Sequence, residues 1–466
     1  MTDSTPTPEE LLQRKGASFR DPEGPVSGVE PPQYSDEAVA LAFSAEQDGR
    51  LLYVPELRHW LYWDGRRWVQ DTTLVVIDTA RAICRRHAAR ADAQAKGASW
   101  VSNVASAHKV AAVERLARAD RRHTREAAIF DADPWILNTP KGVVDLRSGR
   151  TRMSRHTDLL TKMTSVAPGD DCPRWHAFLW EILQGDAEAI AYLQRWVGYI
   201  LTGDTREHAF LFAVGPGGNG KTVLFSIIAE MLGDYATTAP METFMVSHND
   251  RHPTDLAGLR GARFVLAQET EAKHILAESR IKTLTGGDRV SALFMRGDFF
   301  EFQPIFKLAM VGNHRPTIRN PGEAMRRRLH LLPITFKPSV PDTGLSDALR
   351  VELPGILAWA IEGCQMWQRD GLGMPRVVKD ATSDYFAEQD LLAQWIAERC
   401  EAQRGASTPS SALFRDWKAW IEARGEQADT NMAFSAALEQ HFTERRTGKG
   451  VMFIGIRLLP SPLGVF

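Results

Sequence analysis

Eight consecutive residues carry the plainest chemistry in this chain: Gly215, Pro216, Gly217, Gly218, Asn219, Gly220, Lys221 and Thr222. Their order fits G-x-x-x-x-G-K-[ST], a loop whose backbone N–H groups wrap a polyphosphate. Small residues let phosphates approach the backbone, and a helix beginning at the loop turns its positive end toward them. In such a loop Lys221 reaches the β- and γ-phosphates and Thr222 ligates Mg²⁺. The expected ligands are therefore ATP and Mg²⁺. The flanks suit this geometry. Ala209–Val214 is an apolar run fit for a buried strand, and Val223, Leu224, Ile227, Ile228, Met231 and Leu232 then recur at helical spacing up to Gly233.

Hydrolysis needs more than a cradle. A carboxylate must serve the metal or the attacking water, and a polar group must face the γ-phosphate. Arg263–Gln268 reads as a second apolar strand that runs into Glu269, a candidate for both Mg²⁺ binding and water activation. Lys307–Gly312 reads as a third strand and ends at Asn313, placed to sense the γ-phosphate. A fourth, Leu329–Ile334, follows Arg326, Arg327 and Arg328. Arg326 or Arg327 can reach the ATP of a neighbouring subunit, with Arg328 supporting the strand. Singly, each residue has a duller reading as a surface acid, a turn former or a solvated helix end. Their order after the glycine loop favours the joint reading. Between the second and third strands, Val290–Met295 and Phe299–Gln303 read as a hairpin whose turn carries Arg296. Presenting Arg296, that hairpin can track a phosphate backbone.

The run from Gly215 to Ile334 resembles the ATPase domain of superfamily 3 helicases. More closely, it resembles the phage and plasmid primase–helicase family, related to the poxvirus-type replicative NTPase. The match is carried by GPGGNGKT (215–222), ARFVLAQETE (262–271), IKTLTGGDRVSA (281–292), FFEFQPIFKLAMVGNHRP (299–316) and RRRLHLLP (326–333). It extends through LNTPKGVVDL (137–146), YLQRWVGYILTGDTRE (192–207) and GILAWAIEG (355–363). The resemblance implies an AAA+-like ring, a homo-hexamer that hydrolyses ATP between subunits and moves on single-stranded or forked DNA; members often carry a primase module upstream, but no paired-carboxylate metal motif is read there, so a helicase without its own polymerising site, served by a separate primase, is expected. It makes Lys221 and Thr222 the Walker A pair, Glu269 the Walker B acid, Asn313 the motif C sensor and Arg326 or Arg327 the arginine finger. Lys282, Arg289 and Arg296 fall in segments that contact DNA in related proteins. One departure stands out. Many members carry two adjacent acids at Walker B, whereas Gln268 precedes Glu269 here; Glu269 acts alone or with Glu271.

The rest of the chain bounds this reading. Its 466 residues imply several domains. A net charge of −2 means that DNA contact must come from local basic patches. The four cysteines, Cys84, Cys172, Cys364 and Cys400, form no Cys-x-x-Cys pair, which speaks against zinc or a disulfide framework. No secretory signal or membrane span is read, and a cytoplasmic place in a bacterial host, on a phage or prophage protein, is expected. The expected fold class is α/β: a P-loop, AAA+-like ATPase core, a mixed α+β N-terminal region and a helical, winged-helix-like C-terminal domain. The expected divisions are a disordered tail (1–36), an aromatic hairpin with basic helices (37–130), a family-specific linker domain (131–206), the ATPase domain (207–338), a helical lid (339–378) and the winged-helix-like domain (379–466). In the second of these, Trp60, Trp63 and Trp68 read either as a stacking surface for nucleic acid or, preferably, as a small core around an Asp64-Gly65 turn. Leu74 to Ala128 reads as helical, its arginines either binding phosphate or forming a solvated face. Two other functions fit a P-loop: a DNA-packaging or protein-remodelling motor, and a DNA-binding switch that no longer hydrolyses ATP.

Overall fold

The computed structural model describes residues 30–94, 96–246, 254–268, 275–293, 299–318, 322–425, 428, 430–448 and 450–460. The tail expected to be disordered lies mostly outside them. The chain divides into two compact units, Met1–Asp64 with Trp68–Phe130, and Gly65–Arg67 with Asp131–Phe466.

The first unit packs helices on a small meander. Its elements are α1 (Asp36–Glu46), β1 (Leu51–Val54), β2 (His59–Trp63), β3 (Trp68–Gln70), α2 (Val75–Ala93), α3 (Ala98–Val104) and α4 (Ala107–Ala117). The strands pair antiparallel in the order β1-β2-β3. Trp63 pairs with Trp68, so four residues connect the strands rather than a tight Asp-Gly turn. Trp60 and Trp68 are buried, and the Trp60 indole N–H donates to Glu114 Oε1 at 2.6 Å. The aromatics are therefore core. The stretch expected to be helical to Ala128 breaks twice and ends at Ala117; Ser106 caps α4 by accepting from the Lys109 N–H at 3.2 Å. Beyond it the backbone returns to β1, with Tyr53 N–H donating to His123 O at 2.8 Å and Arg125 N–H to Tyr53 O at 2.9 Å.

The second unit is built on a five-stranded sheet. Ahead of it come a meander, β4 (Ile136–Thr139), β5 (Gly142–Asp145) and β6 (Arg150–Arg152), then α5 (Pro173–Ile182) and α6 (Ala187–Ile200). The core follows as β7 (Phe210–Val214), α7 (Lys221–Leu232), β8 (Ala236–Pro240), α8 (Thr254–Ala257), β9 (Phe264–Gln268), α9 (Glu278–Gly286), β10 (Val290–Leu293), β11 (Phe299–Phe302), β12 (Lys307–Gly312), α10 (Glu323–Arg326) and β13 (Leu329–Pro333). The sheet order is β13-β7-β12-β9-β8, every pair parallel. Both faces are covered, which explains the unbroken apolar runs. Leu211 and Ala213, Phe264 and Leu266, and Ala309 and Val311 face a layer with α5, α6 and α7. Phe210 and Phe212, Val265 and Ala267, and Leu308 and Met310 face the other, with Ile281, Leu284 and Phe386.

Two buried cations tie the preceding segment to the sheet. Arg263, just before β9, donates to Leu201 O at 2.6 Å and Ile136 O at 2.7 Å. Lys307, which opens β12, donates to the carbonyls of Thr202 and, at 3.2 Å, Asp204 and Ile305. Leu201 and Thr202 end α6, where the helix dipole favours positive charge. Burial holds the Lys307 ammonium well below the usual lysine range.

After β13 the chain continues as α11 (Leu345–Val351), α12 (Leu353–Asp370) and α13 (Arg376–Gln389). Helix α13 crosses the division expected at 378–379, and its Tyr385 and Phe386 join the sheet's core. Asp390 then separates α13 from the next helix, accepting from the Ala393 N–H at 2.9 Å as the cap of α14 (Leu391–Arg399). The remainder is β14 (Cys400–Pro409), α15 (Ser410–Glu422), α16 (Asn431–Leu438), β15 (Thr443–Thr447) and β16 (Gly450–Leu458), with strand order β14-β16-β15. It has its own core of Trp395, Leu413, Trp417, Phe434 and Phe453. Among the described residues no helix is long and apolar enough to cross a membrane.

Candidate active site

Parallel strands put their carboxyl ends at one edge, and the glycine loop leaves that edge from β7, the second strand of the sheet. Ligands of open α/β sheets bind at such an edge. Here the edge holds a cleft of about 280 Å³ lined by Gly217 to Val223, Gln268, Val311, Gly312 and Asn313. That volume suits a polyphosphate better than a whole nucleotide. Gly215 and Pro216 stand behind it and do not line it. Helix α7 starts at the loop. Its cap residue, Gly220, has φ 84° and brings no side chain to occupy the first-turn N–H groups.

The Lys221 ammonium is buried at the centre of the loop. It donates to Gly215 O at 2.6 Å, Pro216 O and Asn219 Oδ1 at 2.9 Å, and Asn313 Oδ1 at 3.3 Å. Burial lowers its pKa. The contact with Asn313 brings two sequence-selected residues together across neighbouring strands. Asn219 also reaches the other way. Its Nδ2 donates to the Ile334 carbonyl, so one amide joins the lysine to the chain leaving β13. Gly215 packs so close that a β-carbon there would overlap the same carbonyl oxygen. Pattern matching marks Asn219 only as a loop residue; its place between two strands is a tertiary fact.

These residues fit ATP with Mg²⁺ in part. The loop, the helix start, the Lys221 ammonium and Thr222 in the cleft would hold the phosphate end. The expected carboxylate, Glu269, and Glu271 lie outside the described residues. Strand β9 delivers Gln268 to the cleft wall, and Glu269 is the next residue.

The three arginines separate clearly. The Arg326 guanidinium lies 5.1 Å from the Phe386 ring centroid, and its Nε is 3.7 Å from Glu323 Oε1. Arg328 Nη1 donates to Ala324 O at 2.9 Å. Arg327 is exposed and, among the described residues, its side chain has no partner. Of the residues expected to meet DNA, Lys282 is half-buried on α9, 3.9 Å from Glu278, and Arg289 is exposed just before β10. Strands β10 and β11 do pair antiparallel, Val290 opposite Phe302. The turn between them, with Arg296, lies outside the described residues.

Residues 40–184 match the family model described as D5 N terminal like, and residues 213–328 match a family of unknown function, DUF5906. These matches, with the relatives below, support a phage and viral primase–helicase family. The chain is similar to "Putative helicase L207/L206" of Acanthamoeba polyphaga mimivirus, 23% identical over 327 residues, or 63% of this chain and 34% of that protein. It is also similar to "Putative helicase 022R" of Frog virus 3, 28% identical over 243 residues, or 46% of this chain and 25% of that protein. The chain thus spans about a third or less of the length of these relatives. Among solved structures it aligns with the apo structure of the NrS-1 C terminal region at a TM-score of 0.49 and 11% identity, covering 92% of this chain and all of that one.

Proposed function

We propose that this chain is an ATP-dependent DNA helicase of phage or viral replication that hydrolyses ATP between subunits of a ring. The observation that carries the reading is the meeting of Lys221 with Asn313 at the carboxyl edge of a parallel sheet. A P-loop lysine and a polar strand-end residue on the adjacent strand are what a γ-phosphate needs for grip and for orientation of the attacking water. Gly217 to Thr222 hold the phosphates and Thr222 with Glu269 holds Mg²⁺, which supplies charge neutralisation at the phosphoryl group when bound. Glu269 orients and activates water. Exposed Arg327 serves the neighbouring subunit's phosphate. The order of helix, strand, two helices and hairpin after Asp390 supports a winged-helix reading of the C-terminal part, with Arg445 and Arg446 exposed on β15.

The test is ATP hydrolysis with and without single-stranded and forked DNA, together with strand displacement. Hydrolysis stimulated by DNA, displacement, and loss of both in Lys221→Ala are expected. Hydrolysis without displacement would point to a packaging or remodelling motor, and nucleotide binding without turnover to a switch. Wild-type rates in Lys221→Ala would remove the site altogether.

A further inference from the structure

We propose that Lys337 is a second phosphate-binding cation of the nucleotide site, supplied from the strap that follows β13. This deepens the reading of the cleft as an ATP site and rests on it.

The strap is fixed to the glycine loop on several sides. Ile334 N–H donates to Val214 O at 2.8 Å, continuing the β13–β7 pairing past the end of the strand. The Ile334 carbonyl accepts from Asn219, and Gly215 leaves no room between them for a side chain. One residue on, Thr335 Oγ1 accepts from Gln184 Nε2 at 2.9 Å. A chain held this way delivers Lys337 to one place. Its Cε lies 3.7 Å from the point that a β-carbon on Gly218 would occupy, at the tip of the loop. Among the described residues, the loop's own chain neighbours aside, nothing else stands within 4 Å of that point, nor of the corresponding point on Gly217.

The charge is available. Lys337 is exposed and, among the described residues, has no hydrogen-bond or ion-pair partner. By contrast, Arg174 pairs with Asp342, and Arg350 with Glu230 and Asp347. Lys337 does not line the cleft that holds Lys221 and Asn313. It stands outside that cleft at the tip of the loop, where this assignment puts the part of the polyphosphate nearer the sugar. The two lysines therefore divide the ligand. Lys221 grips the end where the phosphoryl group transfers, and Lys337 grips the end that ATP and ADP share. A flexible ammonium that meets a phosphate at an exposed rim contributes binding in the ground state and transition state alike, which acts on affinity rather than on turnover.

The experiment is titration of the full chain with fluorescent mant-ATP and mant-ADP at two salt concentrations. Lys337→Ala is expected to weaken both nucleotides about five- to tenfold, Lys337→Glu more, and Lys337→Arg to bind nearly as wild type. The loss should shrink at high salt, because an exposed charge contact is screened. Exposure at the surface makes misfolding of these variants unexpected, and equal melting temperatures verify it. Unchanged affinity in both the Ala and Glu variants would overturn the assignment. So would a loss confined to mant-ATP, which would place Lys337 at the γ-phosphate instead. A wild-type chain that binds neither nucleotide would overturn the site itself, and the role of Lys337 with it.

Discussion

Three adjacent arginines are indistinguishable by type, and their surroundings assign them different work. Arg326 is anchored within its own subunit by Phe386 and Glu323, while Arg327 reaches outward with nothing to hold among the described residues. A guanidinium that must serve a phosphate next door has to be free until that neighbour arrives. Arg327→Ala is therefore expected to cut hydrolysis about a thousandfold, the lower end for loss of an arginine finger, with stability changed by less than about 0.5 kcal/mol. Arg326→Ala should do the reverse, costing about 1 kcal/mol of stability through the lost ring contact and leaving most hydrolysis. Mixing Arg327→Ala with Lys221→Ala protein should restore some turnover, since each supplies what the other lacks. Rates and melting curves for the two arginine variants decide it; the opposite pattern would make Arg326 the finger.

At the scale of elements, β13 carries an acid sensitivity that follows from burial. His330 on this strand has Nδ1 2.7 Å from the Tyr192 hydroxyl, and burial pushes its pKa down to about 4. An unfolded histidine titrates near 6.5. As pH falls below 6.5 the unfolded chain takes up a proton that the folded chain refuses until about pH 4, so stability is lost across that window. Between pH 6.5 and 5 the loss from this residue is about 1.5 kcal/mol. Denaturant unfolding of wild type and His330→Gln at several pH values isolates it, because the other histidines remain in both proteins. Equal pH slopes would mean that His330 is not held neutral by the fold.

Much of this architecture is legible in the sequence, for a definite reason. Strands β7, β9, β12 and β13 are covered on both faces, and their apolar runs announce it. Strand β8 escapes such a reading. It runs ATTAP, sits at the sheet edge and is largely half-buried or exposed, so no apolar pattern marks it. Strand β14 escapes likewise, since most of CEAQRGASTP faces solvent. The glycine loop and Asn313 are visible as motifs because their chemistry constrains residue type. The bridging role of Asn219 and the position of Lys337 are not, since each depends on Ile334, more than a hundred residues from the loop along the chain.

The whole second unit depends on contacts made late along the chain. Arg263 and Lys307 reach back to carbonyls of the segment before β7, and Phe386 on α13 closes one face of the sheet. Removing the Arg263 side chain charge, as in Arg263→Met, would leave buried carbonyls without donors.

Strand order also dictates when the loop of residues 215–222 can be held in place. Strand β7 ends at Val214, yet its two partners begin only at Lys307 and Leu329. A chain stopped at Gln303 would contain all of residues 215–222 and neither strand that holds β7 in place. It is expected to bind no mant-ATP, whereas a chain carried through Gln389 should bind; tight binding by the shorter chain would show that the loop forms without its sheet. During synthesis at about 5–20 residues per second, the loop strand would wait on the order of ten seconds for both neighbours. Long-range parallel pairing of this kind folds slowly and leaves strand edges open meanwhile. The apolar run that seats β7 in the sheet is thus also a stretch that chaperones would need to shield while the protein is being made.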